Sequence, residues 1–286
     1  MNGLIPPPDR RWRLIFSHHL KGIRCVSHVE FLGPPGAGKT TIFLELIRED
    51  DFYGCTHEDA FRRQLLTTAS SRYRMVYRGL PAPIRAVLET ELLEYRYRHD
   101  ALRRFAHRNP EVVKLFARGI AASQHDHGVL ENWIHELIEE YQLGMATVGE
   151  EEILCLDEGF AQKAISFEWR ISNDEFPIET YLQLSPTPQA IVHVDAPTDL
   201  CLDRQRERGN APTSRAWIDD PTMAQDRFRD LCSSVANHQR ARSTVISVTN
   251  SDSVAESVED VRSTLADVID QSKNRESRNH RMNSSA

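Results

Sequence analysis

The segment from His28 to Ile47 constrains the fold more than any other part of the chain. A short apolar run, "HVEFLG", precedes the glycine-rich loop "GPPGAGKT" (Gly33–Thr40), and the stretch "KTTIFLELI" follows it. The apolar run is typical of a buried strand, and the stretch after the loop has the apolar spacing of a helix. A strand that passes through such a loop into a helix predicts an α/β domain with a mostly parallel sheet.

The loop itself matches the pattern G-x-x-x-x-G-K-[ST] at every fixed position. Its glycines allow consecutive backbone N–H groups to face inward, and together with the helix N-terminus these groups form a nest for phosphate oxygens. Lys39 can reach the β- and γ-phosphates, and Thr40 can offer its hydroxyl to Mg²⁺. The sequence therefore predicts that ATP and Mg²⁺ bind here. The predicted nucleotide contacts are Gly33, Pro34, Pro35, Gly36, Ala37, Gly38, Lys39, Thr40 and Thr41.

Strand and helix patterns alternate along the rest of the chain, with one long helical interruption. Strands are predicted at "DFYGCT", "EEILCLDEG", "AIVHVD" and "TVISV", whereas the helical spacing over about 57–145 predicts an insertion into the domain. Residues 1–27 are predicted to form an N-terminal arm, and 28–270 a single domain. Residues 271–286 are almost without apolar side chains and are predicted to form a disordered tail.

Composition narrows the class of protein. The chain has 286 residues, a net charge of -7 and five scattered cysteines with no C-x-x-C pair. The net negative charge argues against a general nucleic-acid binder. Scattered cysteines are typical of proteins in a reducing compartment. Because no signal peptide is visible and no apolar run approaches about 20 residues, we expect a cytoplasmic protein with no membrane partner. Composition leaves the oligomeric state open.

Two acids end the predicted strand "ILCLDEGF", and their position favours a catalytic role. Open α/β sheets place their chemistry at the carboxyl ends of strands. We expect Asp157 to hold Mg²⁺ together with Thr40, and Glu158 to accept a proton. If that proton came from water the protein would be an ATPase, and if it came from a substrate hydroxyl the protein would be a kinase. In a chain without a phosphate loop, an Asp-Glu pair at a strand end would be read as solvated charge.

A later helix, "TDLCLDRQRERG", places two arginines on one face. Arg204 and Arg208 are four residues apart, and cations beside a transferring phosphoryl group lower the barrier to its transfer. The alternative is that both arginines face solvent and pair with Asp203 and Glu207. The polar segment over about 209–220, which begins with a glycine, is predicted to be a lid.

The order of these motifs resembles the nucleoside- and nucleotide-kinase-like group of P-loop kinases. The shared order is the phosphate loop, an acid after a later strand, strand-"VDAP"-helix with R-x-x-x-R, a polar lid segment, and a closing strand and helix. The resemblance implies a three-layer α/β fold with a five-stranded parallel sheet in the order 2-3-1-4-5. It also implies that Asp157 or Glu158 serves Mg²⁺ or the acceptor. The group commonly has Asp-Arg or Glu-Arg where this chain has Asp-Glu-Gly, so the identity of the base stays open.

The expected function is an ATP-dependent phosphotransferase, a kinase whose acceptor is a small metabolite such as a nucleoside, a nucleotide or a sugar derivative. The alternative is an ATPase or GTPase that couples hydrolysis to a conformational change. An Asp-Glu strand end favours the alternative, whereas the predicted arginine pair favours the kinase. A non-catalytic nucleotide sensor is the third reading. The predicted catalytic residues are Lys39, Asp157, Glu158, Arg204 and Arg208.

Overall fold

The structure is a computed structural model of the chain. It describes residues 28–48, 52–54, 63, 71–85, 98–123, 127–149, 152–171, 176–209, 220–250 and 254–283. The predicted N-terminal arm over 1–27 lies outside the described residues. So does the predicted lid, apart from its end residues Gly209 and Asp220.

In the described part of the chain, five strands form one parallel sheet in the order β2-β3-β1-β4-β5. The strands are β1 (His28–Leu32), β2 (Phe52–Gly54), β3 (Ile153–Leu156), β4 (Ala190–Asp195) and β5 (Thr244–Thr249). The central strand β1 is buried along its whole length, as expected for a parallel sheet with both faces covered. This is the strand order that the resemblance to P-loop kinases implied.

Helices cover the sheet. They are α1 (Lys39–Leu46), α2 (Ser71–Gly79), α3 (Arg98–Arg108), α4 (Pro110–Ala122), α5 (His127–Thr147), α6 (Phe160–Glu168), α7 (Ile178–Leu184), α8 (Thr198–Glu207), α9 (Pro221–Gln239) and α10 (Val254–Asn283). The predicted α/β class with a parallel sheet is confirmed. No helix in the described part of the chain is long and apolar enough to cross a membrane.

Among the described residues, the two larger hydrophobic cores lie on the two faces of the sheet. Successive side chains of a strand point to opposite faces, so Ile191 of β4 enters one core while Val192 enters the other. The first core receives α6 and α9, and the second receives α1 and α10, with Ile42 and Val261 among its fully buried side chains. The phosphate loop leaves β1 between these two layers.

Helices α2 to α5 lie between β2 and β3, within the predicted insertion over 57–145. Phe105 of α3 stacks on Phe160 of α6 with ring centroids 5.8 Å apart, and Leu130 and Leu137 of α5 belong to the same core. Helices α3 to α5 of the insertion therefore pack into the main domain, next to the strand that carries the acid pair.

The last helix is longer than the sequence predicted. Residues 271–283 continue α10, where we expected a disordered tail over 271–286. The tail is almost without apolar residues, but residues 271–283 are also without helix breakers. This stretch has neither glycine nor proline, and its Lys, Arg, Gln, Glu and Met residues are good helix formers.

Candidate active site

The phosphate loop has the tight geometry that its glycines allow. Gly36 has φ of 84° and Gly38 has φ of 97°, both in the left-handed region that favours glycine. A side chain on Gly36 would also place its Cβ 2.3 Å from the carbonyl oxygen of Cys201. The backbone therefore curls between β1 and α1 in the way that the sequence pattern predicts.

Side chains from other elements hold the outer side of this loop. Asn250, which follows β5, donates from Nδ2 to the Ala37 carbonyl oxygen at 2.8 Å. Arg204 of α8 approaches the carbonyl oxygens of Gly36 and Ala37 at 3.3 Å each. Its guanidinium also lies 3.5 Å from the backbone oxygen of Asn250. The structure thus places Arg204 against backbone oxygens of the loop, and these contacts make it a candidate for positioning the loop.

The predicted Mg²⁺ ligands lie side by side. Thr40 Oγ1 donates a hydrogen bond to Asp157 Oδ2 at 2.8 Å. Asp157 Oδ1 is buried and has no hydrogen-bond partner among the described residues. Burial raises the pKa of Asp157, and the Thr40 hydrogen bond and the charge of Lys39 offset this effect only in part. A hydroxyl and a carboxylate with an unused oxygen fit the oxygen ligands that Mg²⁺ prefers.

Glu158 has a different environment. Lys163 of α6 lies with its Nζ 2.6 Å from Glu158 Oε2, and the Lys163 side chain is 8% exposed whereas that of Glu158 is 53% exposed. Burial would raise the pKa of Glu158, but the charge and hydrogen bond of Lys163 and the charge of Lys39 lower it overall. Lys163 Nζ also lies 5.3 Å from the centre of the Trp133 ring of α5. Glu158 is therefore a charged carboxylate that can reach solvent or a bound molecule.

A buried carboxylate beneath the acid pair fixes the start of α6. Glu30 of β1 accepts the Ala161 N–H at 2.8 Å and lies 2.9 Å from Nε2 of His28. A Cβ on Gly159 would meet the Glu30 Cδ at 2.4 Å, so Gly159 allows the turn to pass directly over this side chain. An acidic group at a helix N-terminus accepts a hydrogen bond from a free backbone N–H group and interacts favourably with the helix dipole.

The sequence analysis did not single out Glu30, Gln162 or Lys163, which lie near the site. Gln162 of α6 accepts the N–H of Gly33, the first loop residue, at 3.0 Å. The available signal for Glu30 was its place inside the apolar run "HVEFLG", because a buried charge needs polar partners. For Gln162 and Lys163 the signal was their position in the first turn after the acid pair.

The two predicted arginines do not meet at one place. The Arg208 side chain is exposed and has no partner among the described residues, whereas Arg204 contacts the loop. The sequence did not point to Arg229 of α9, which binds both carboxylate oxygens of Asp195, at 2.6 and 2.5 Å. This pair lies at the carboxyl end of β4, and the hydrogen bond to Asp195 raises the pKa of Arg229.

Comparisons with known proteins give matches to solved structures only. No family model and no curated protein matches the chain. Deoxyadenosine kinase from M. mycoides with bound dCTP is similar at a TM-score of 0.42 and 12% identity, over 84% of this chain and 99% of that chain. The same enzyme with bound dATP gives a TM-score of 0.40 at 12% identity, over the same shares. TT1252 from Thermus thermophilus gives 0.35 at 17% identity, over 85% of this chain and 98% of that chain.

The fold is established by the chain's own features. The sheet has the order β2-β3-β1-β4-β5, the phosphate loop follows β1, and the acid pair follows the neighbouring strand β3. Thr40 and Asp157 meet across the gap between these two strands. These features give the chain a P-loop fold of the nucleoside-kinase-like kind.

Proposed function

We propose that the protein is an ATP-dependent kinase that transfers the γ-phosphoryl group to a hydroxyl of a small metabolite, such as a nucleoside, a nucleotide or a sugar derivative. One observation carries the proposal. Asp157 contacts Thr40 of the phosphate loop at 2.8 Å, whereas its neighbour Glu158 pairs with Lys163 and stays half-exposed. Two adjacent acids thus serve two sides of one site, a nucleotide side and an acceptor side.

In the proposed reaction, the acceptor hydroxyl oxygen forms a bond to the γ-phosphorus. The bond between that phosphorus and the oxygen bridging to the β-phosphate breaks, and ADP leaves. Glu158 accepts the hydroxyl proton and releases it to solvent. Its lowered pKa keeps the carboxylate charged at neutral pH, which suits the orientation of a hydroxyl group. Most of the catalysis in such transfers comes from positioning and charge stabilisation.

The nucleotide side would use residues of the loop and of the β3 end. Inward-facing N–H groups of the loop bind phosphate oxygens, and Lys39 lies close enough to both acids for its charge to oppose the rise in pKa that burial causes. Thr40 and Asp157 would hold Mg²⁺. When bound, Mg²⁺ would neutralise charge on the β- and γ-phosphates.

A second candidate function is hydrolysis of the nucleotide. The Glu158 side chain is 53% exposed, so water can reach it as readily as an acceptor can. Under this alternative Glu158 would activate water, and phosphate release would need no metabolite.

The test measures ATP turnover and its products together. The purified chain is incubated with ATP and Mg²⁺, alone and with pools of nucleosides, nucleotides and sugars, and phosphorylated products are identified by mass spectrometry. We expect slow phosphate release without acceptor and a phosphorylated product in one pool. Lys39→Ala is the control that should lose both. Fast phosphate release that no pool alters would contradict the kinase and favour the hydrolase.

A further inference from the structure

Two buried glutamines hold one carbonyl group of the phosphate loop. Gln225 of α9 donates from Nε2 to the Pro35 oxygen at 2.9 Å, and Gln205 of α8 donates to the same oxygen at 3.1 Å. Gln205 also donates to Gln225 Oε1 at 3.1 Å. The relative exposure is 0% for Gln225 and 5% for Gln205. We call Gln205, Gln225 and the Pro35 carbonyl the amide clamp.

The amide clamp requires a specific orientation of both side chains. A carbonyl oxygen can only accept hydrogen bonds, so each glutamine must turn its NH₂ group toward Pro35. Burying two amides is unfavourable unless their hydrogen bonds are made, and an apolar pair would fill the same space without that cost. The two glutamines come from different helices, and they meet at one atom of the loop. This arrangement is hard to explain by packing alone.

The planar peptide bond links the clamp to the inner side of the loop. In a trans peptide the carbonyl of one residue and the N–H of the next point in opposite directions. Holding the Pro35 carbonyl outward therefore turns the Gly36 N–H toward the concave side of the loop. Among the described residues the Gly36 N–H has no protein acceptor, whereas the Ala37 N–H is bound to the Pro34 oxygen at 3.1 Å. The Gly36 N–H is thus available to a ligand.

We infer that Gln205 and Gln225 are positioning residues that fix the Gly36 N–H as a donor to a phosphate oxygen of the bound nucleoside triphosphate. The inference rests on the nucleotide site of the proposed function. It adds that the affinity for the phosphates depends on two side chains that do not touch them. Oriented backbone donors need no reorganisation when charge develops during transfer, so the rate should depend on the clamp as well.

The test compares matched methionine variants. Gln225→Met keeps the length of the side chain and removes its donors. Gln239→Met changes an equally long, buried glutamine on the same helix, away from the loop. Kd values are measured by calorimetry for ATP with Mg²⁺, and by NMR titration for adenosine, which has no phosphate. We expect Gln225→Met to weaken ATP binding about fivefold to tenfold, the scale of one lost hydrogen bond. Adenosine binding, and ATP binding by Gln239→Met, should stay unchanged.

Two further variants keep the inference falsifiable. Gln225→Glu should weaken ATP binding more than Gln225→Met, because it places a carboxylate oxygen against the Pro35 oxygen. Gln205→Met replaces Gln225→Met if the latter does not fold. Where both methionine variants fold, the double variant Gln205→Met/Gln225→Met should weaken ATP binding by less than the product of the two single fold-changes in Kd. The reason is that both side chains act on one carbonyl.

The outcomes separate the inference from the function on which it rests. A folded Gln225→Met or Gln205→Met protein with the wild-type Kd for ATP would overturn the clamp and leave the kinase proposal intact. Equal weakening of adenosine binding would overturn it too, since the effect would then be a general distortion. A wild-type chain that binds no ATP would overturn the nucleotide site itself.

Discussion

Replacing Gly159 by alanine tests whether the buried Glu30 supports the acid pair. The added Cβ would lie 2.4 Å from Glu30 Cδ, 2.5 Å from Cγ and 2.8 Å from Oε1. Carbon atoms in contact are normally about 3.5–4.0 Å apart, so the overlap is large. The φ of Gly159 is −73°, which any residue adopts, so the expected loss of stability comes from the contact and not from backbone strain.

The size of the effect follows from what Glu30 must give up. Overpacking a buried site costs about 1–3 kcal/mol of unfolding free energy. If Glu30 moves away, the charge-assisted hydrogen bond from the Ala161 N–H is lost as well, which costs about 1.5–3 kcal/mol. We therefore expect a loss of roughly 2–5 kcal/mol in urea unfolding, with Tm lowered by roughly 5–15 °C.

The control is Gly128→Ala in α5. A Cβ on Gly128 would meet no heavy atom within 4 Å, so stability should stay the same or rise by up to about 1 kcal/mol. A double-mutant cycle adds Glu30→Ala, in whose background Gly159→Ala should cost much less because the clash is gone. A Gly159→Ala protein as stable as wild type would refute the clash with Glu30. So would an equal loss of unfolding free energy with and without the Glu30 side chain.

Three further predictions concern the acids, the arginines and a buried histidine. Asp157→Asn should abolish the Mg²⁺-dependent turnover, whereas Glu158→Gln should keep the Kd for ATP and lower the transfer rate by about 10²-fold or more. Arg204→Ala should weaken ATP binding about tenfold, since it leaves the loop carbonyls without this donor. Arg208→Ala should lower the rate of phosphoryl transfer by about 10³-fold if the guanidinium stabilises the phosphoryl group. Burial lowers the pKa of His193, so the unfolded chain binds its proton first as pH falls, and stability should drop from about pH 7 downward.

Each of these predictions has a contradicting result. Wild-type rates in both acid variants would show that the β3 end is not catalytic, and an unchanged Kd in Arg204→Ala would show that the loop does not need its guanidinium. For the pH effect, His193→Gln should flatten the fall of the unfolding free energy between about pH 7 and 5. His107→Gln, on the exposed face of α3, is the control variant. Equal slopes in wild type and His193→Gln would contradict the reasoning.

Local sequence patterns predicted the parts of the fold that depend on residues close together in the chain. The phosphate loop and β4 (Ala190–Asp195) were predicted with their observed bounds, because an apolar run next to a loop or a helix cap is visible in consecutive residues. The acid pair could be placed at a strand end for the same reason. The sequence assigned Thr40 and Asp157 separately to one Mg²⁺ site, and the structure places their side chains 2.8 Å apart.

Contacts between distant segments could not be predicted from spacing. Glu30 binds a backbone N–H 131 residues away, and Gln162 binds one 129 residues away. Helical spacing placed Arg204 and Arg208 on one face, but it could not show how α8 lies against the loop. The observed placement separates them, with Arg204 bound to loop carbonyls and Arg208 at the surface.

The most direct test of the kinase proposal follows the γ-phosphoryl group itself. ATP labelled in that group is mixed with excess enzyme, Mg²⁺ and the acceptor pool that gives a product, and the label in organic phosphate and in free phosphate is measured over one turnover. The proposal predicts that the label passes into a phosphomonoester, and that Glu158→Gln slows this transfer while binding the same amount of ATP. Label that appears only as free phosphate, at one rate with and without acceptor, would contradict it.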